Sequence, residues 1–256
     1  MKKELRLLLL ILEGVITVAL SVVFIFTADA AQKSGVLVSV LPSLLPTLLH
    51  LWITLFVAIT FSFFYRITVG TEAALLPLLF TTISLSAIKM LPMHQSFSTL
   101  RLLSPYTTAV IYHFSLLYTA ALFLCMSLFK ESLQSKRLAQ YVAVGFSFSL
   151  LISLMAPISI NDPSFIYQVC ISDSLFSMTI TVITLLAILS FLLPLLEQQN
   201  RNRQSVGRPL AYALLIGGNA LVTIPCGLGS RYFGLFLYTL GLILLLLVSR
   251  AHRVWT

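Results

Sequence analysis

The chain has 256 residues, of which 59% are hydrophobic and 9% charged, with a formal net charge of +8 and a mean hydropathy of +1.01, a composition foreign to water-soluble domains. A membrane-spanning helix needs about 20 apolar residues, so eight of them use about 160 and leave only loops and short tails. That excludes a soluble catalytic domain. The positive residues fall between apolar segments rather than along a basic stripe with interleaved aromatics, so the expected partner is the lipid bilayer and not nucleic acid.

Eight apolar stretches, each bounded by Pro, Gly or charge, occur near 7–26, 44–65, 73–91, 107–129, 138–157, 173–196, 209–225 and 232–248. They predict an all-α polytopic transmembrane bundle, residues 1–256 forming one integral membrane domain, with six or seven spans as the alternatives. Lys33, Lys89, Arg101 and Arg231 fall on one side of these spans and the other twelve of the sixteen Lys and Arg residues on the opposite side. Because cytoplasmic loops retain positive charge, both termini are expected in the cytoplasm, in a bacterial cytoplasmic membrane.

In the first stretch, Lys2 and Lys3, the apolar run and Thr27-Ala28-Asp29-Ala30 have the order of a signal peptide, but the run exceeds the usual core of about 7–15 residues, which predicts a retained anchor. Glu13 interrupts it. A carboxylate at that depth is costly in hydrocarbon, so it is expected to face the bundle, either as an ion or proton site or as a packing group bonded to a hydroxyl. The second and fourth stretches carry His50 and His113 at matching depths, which predicts that they approach one another and line an outward pocket; haem ligation is a weaker alternative.

The third stretch contains Pro77, several hydroxyls and Lys89, and is followed by His94. The Lys89 stem is long enough to snorkel to the headgroups. The sharper reading joins Lys89, His50, His94, Arg101 and His113 in a vestibule for an anionic ligand, with Lys89 or His94 at its mouth. Ser and Thr residues of the third, fifth and sixth stretches read as helix-packing groups. The seventh stretch is the weakest, with Gly217, Gly218 and Asn219 near its middle and Pro225 at its end. These are candidates for a broken or re-entrant helix, and close packing of the last hairpin is the stronger alternative because no matching interruption is read in the first half.

Cys125, Cys170 and Cys226 form neither a disulfide framework nor a metal motif. No enzyme motif is found. No cofactor, metal or catalytic residue is therefore expected. The buried ionisable residues point to a small transport or ligand-binding membrane subunit that depends on another membrane or cytoplasmic protein. The alternative is a non-transporting sensor or accessory subunit.

Overall fold

The computed structural model describes residues 3–64, 71–97, 102–128, 135–156, 174–197, 203–225 and 227–254, and among them there is no strand. The elements are α1 (Lys3–Lys33), α2 (Leu37–Phe64), α3 (Thr71–Leu85), a 3₁₀ segment (Ser86–Met90), α4 (Leu91–Phe97), α5 (Pro105–Leu128), α6 (Ser135–Met155), α7 (Ser174–Glu197), α8 (Arg203–Thr223) and α9 (Leu228–Val254). The chain is thus an all-α helical bundle. Among the described residues seven segments are long and apolar enough to cross a membrane, with α3, the 3₁₀ segment and α4 counting as one. The eighth helix is α8, which is more polar and packs between α7 and α9.

Local chemistry explains several of the helix ends. Gly35 at φ 72° closes α1: its N–H bonds the Gln32 carbonyl and that of Val36 the Ala31 carbonyl, the paired bonds of a Schellman motif. Ser104 Oγ accepts the Thr107 N–H at 3.1 Å, and Pro105 follows it as the first residue of α5, where a missing N–H costs nothing.

The third span differs from expectation. It runs on to Phe97 and is broken in the middle, and Pro92 supplies the reason. With no N–H, Pro92 cannot serve the Ile88 carbonyl, which is taken instead by the Leu91 N–H. That shorter bond tightens Ser86–Met90 into 3₁₀ geometry. This broken helix is central: α1, α2 and α5 pack around it, and its 3₁₀ residues are all buried. Beside it, Phe61, Leu79, Phe80, Phe123, Leu215 and Tyr238 belong to the largest apolar core.

No interruption occurs where the sequence places one in the seventh span. The α8 helix is continuous through Gly217, Gly218 and Asn219, and Pro225 lies beyond its end. Gly218 lets α8 and α9 touch backbone to backbone, since a Cβ there would come within 2.3 Å of the Tyr238 nitrogen; Gly234 and Gly241 do the same from α9. Such close approach is the usual role of small residues between membrane helices. Gly218→Ala should therefore destabilise the protein by about 1–3 kcal/mol through overpacking. Gly229→Ala, where a Cβ would meet nothing within 4 Å, should be neutral. Unfolding midpoints of both variants in lipid nanodiscs check this.

Candidate functional site

Two sites are built from ionisable residues. The first surrounds Glu13, which is 1% exposed. Ser84 Oγ of α3 donates to its Oε1 at 3.3 Å, and Thr17 Oγ1 donates to its backbone carbonyl at 2.9 Å. Glu13 lies in a cleft between α1, α2 and α3 that encloses about 390 Å³ with its open mouth and is lined also by Arg6, Ser62, Pro77 and Phe80. Arg6 shares the Glu13 face of α1, because a spacing of seven residues is nearly two helical turns. Pro77 removes the helical donor for the Ala73 carbonyl. Thr81 Oγ1 closes one flank by donating to the Pro77 carbonyl at 2.8 Å.

The second site gathers at the carboxyl end of α8. Lys89, 1% exposed, extends from the 3₁₀ segment, and its Nζ donates to the Val222 carbonyl at 3.0 Å and lies 3.5 Å from the Thr223 carbonyl. The Tyr112 hydroxyl of α5 also donates to the Thr223 carbonyl, and its ring centroid is 6.0 Å from Nζ. Carbonyls in the last turn of a helix lack intrahelical donors and carry the negative end of the helix dipole. Arg231, buried as well, donates from Nε to the Pro225 carbonyl at 3.2 Å and from Nη1 to the Ser43 carbonyl of α2 at 3.1 Å.

This arrangement alters the expected anionic vestibule. Lys89 is not at a mouth, and its ammonium is spent on backbone carbonyls. His94 is buried on α4, where Nδ1 shares a hydrogen bond of 3.1 Å with Thr27 Oγ1 of α1. Arg101, Cys170 and Cys226 lie outside the described residues.

His50 and His113 are not brought into one pocket either. The His50 ring meets Tyr238 of α9 edge-on, centroids 4.3 Å apart, whereas His113 stacks on Phe176 of α7 at 3.9 Å. The 3₁₀ segment packs against both parent helices. Each helix turns its imidazole towards a different neighbour.

Sequence reasoning missed Tyr112, Tyr238, Thr54 and the bonding role of Arg231. Thr54 and Tyr238 share a hydrogen bond of 2.8 Å, and Thr54 Oγ1 is also 2.7 Å from the His50 carbonyl. Only Pro225, which ends α8 close before Arg231, signalled that carbonyls there would need a donor. A narrow crevice beside Thr223, between α5, α7 and α8, has about 260 Å³ of empty space when its open mouth is included and is lined in part by Thr119, Thr184 and Asn219. No protein-family model, curated protein or solved structure matches the chain.

A double-mutant cycle on Thr54→Val and Tyr238→Phe should give a coupling of about 0.6 kcal/mol, the average for an interhelical hydrogen bond in a membrane protein. Unfolding free energies of the two single variants and the double variant measure it.

Proposed function

We propose that the protein is a small transport or ligand-binding membrane subunit that acts with a partner protein, and that the Glu13 cleft is its binding site. One observation carries the reading: a carboxyl 1% exposed, held among the described residues by a single side-chain hydrogen bond, lines a cleft that opens to the outside of the bundle. A charge or proton exchanged at such a group changes its electrostatic energy far more than at a hydrated surface. The ligand this favours is a proton or a group bearing positive charge. Dependence on a partner is supported by the eight acidic residues of the whole chain, too few for the carboxylate relays of a self-powered pump. The charge bias supports cytoplasmic termini.

A second reading, a sensor or accessory subunit, is favoured by α6. Its described residues make their main helix contacts with α5 alone, leaving most of its surface to lipid or another protein.

The test starts by purifying the protein with its native associates and placing the complex in vesicles loaded with a pH-sensitive dye. Proton uptake under an imposed gradient is expected, with at least a tenfold loss in Glu13→Gln, which keeps the hydrogen-bonding shape and removes the ionisable proton. Equal uptake by the variant would remove Glu13 from the proposal. For orientation, a reporter fused after Thr256 should be active only when it is a type that functions in the cytoplasm.

A further inference from the structure

Lys89 fills a position that has the properties of a cation-binding site. The carbonyls of Val222 and Thr223 converge on Nζ at the negative end of α8, and the Tyr112 ring lies on another side of the ammonium, where an aromatic face attracts a cation. The neighbouring crevice adds further acceptors. Thr184 Oγ1 donates to the Ile180 carbonyl at 2.7 Å and Thr223 Oγ1 to the Asn219 carbonyl at 2.7 Å. Both hydroxyl protons are thereby used, and lone pairs remain. Asn219, 7% exposed, lines the same crevice, and its Oδ1 has no hydrogen-bond partner among the described residues. A buried, unpaired acceptor calls for a donor or a cation.

The geometry points to a monovalent-cation site at the carboxyl end of α8, in which the tethered Lys89 ammonium and a free ammonium or alkali-metal ion are alternative occupants. Two positive charges this close in a low-dielectric interior repel strongly, so occupation is exclusive. Arg231 is the other positive side chain at this end of α8, and it is bonded to different carbonyls, those of Pro225 and Ser43. The support beneath Lys89 suits withdrawal, since 3₁₀ hydrogen bonds are poorer than α-helical ones and such stretches mark hinges. The site is separate from the Glu13 cleft and does not depend on the reading given to that cleft.

The test uses Lys89→Ala, whose truncated side chain leaves the carbonyls bare and opens room for an ion. Thermal midpoints are measured in nanodiscs in a background of tetraethylammonium, which is too large to enter, with methylammonium, potassium or sodium added in turn. The expected result is a concentration-dependent rise of several degrees with at least one of the three small cations, as binding to the folded state requires, and a smaller rise at higher concentration for the unsubstituted protein, where the Lys89 ammonium competes for the same carbonyls. Methylammonium as the strongest would identify an ammonium site, and potassium or sodium a metal-ion site. The rise should persist in Lys89→Ala/Glu13→Gln, which separates it from the cleft, and disappear in Lys89→Ala/Asn219→Leu. If Lys89→Ala folds only when methylammonium is present, the proposal stands. Stability indifferent to all three cations, or failure to fold with any of them, would overturn it.

Discussion

A proline in a membrane helix leaves a carbonyl without its donor, and in hydrocarbon there is no water to replace it. Much of this bundle is arranged around where those carbonyls find partners. Pro46 withholds the donor that would serve Pro42, whose carbonyl instead accepts the Tyr232 hydroxyl of α9 at 3.4 Å. Pro92 does the same to Ile88, and the Leu91 N–H fills the gap by shortening the helix into a 3₁₀ turn. Pro225 ends α8, and the carbonyls around that end are met by Lys89, Tyr112 and Arg231. Each unmet carbonyl would cost several kcal/mol in a bilayer, so these bonds select how the helices associate.

Lys89 and Arg231 act in this scheme as long donors linking separate elements. The 3₁₀ turn directs Lys89 at α8, and Arg231 reaches from α9 to α2. The close glycine contacts hold α8, which carries the Lys89 acceptors, against α9, which carries Arg231. Charge at this end is thus largely absorbed by backbone dipoles, an arrangement that stabilises a buried cation without a buried carboxylate.

The other ionisable site has a different character. Among the described residues Glu13 receives one side-chain hydrogen bond although an ionised carboxylate has acceptor capacity for about four, and open space adjoins it. Glu13 thus keeps spare acceptor capacity next to a cleft, whereas the Lys89 ammonium is engaged by backbone carbonyls. The contrast separates two charges that look equally anomalous in a hydropathy profile.

Apolar length alone determined the helical class, because a bilayer demands long apolar helices whatever their order of packing. Glu13 was legible as a suspect for the same reason: a carboxyl in such a segment has few tolerable environments. The sequence also contained Pro92 and Gly218, yet their consequences depend on neighbours. Pro92 permits a 3₁₀ break, and three surrounding helices bury it; Gly218 permits close approach, and Tyr238 and Gly234 on α9 turn that permission into contact. Equal depth could not foretell that His50 would face Tyr238 and His113 Phe176, since depth is a property of one helix and facing is a property of a pair. Which carbonyl Lys89 would meet was decided by the tertiary structure alone, because its partners lie 133 and 134 residues away and hydropathy carries no record of helix adjacency.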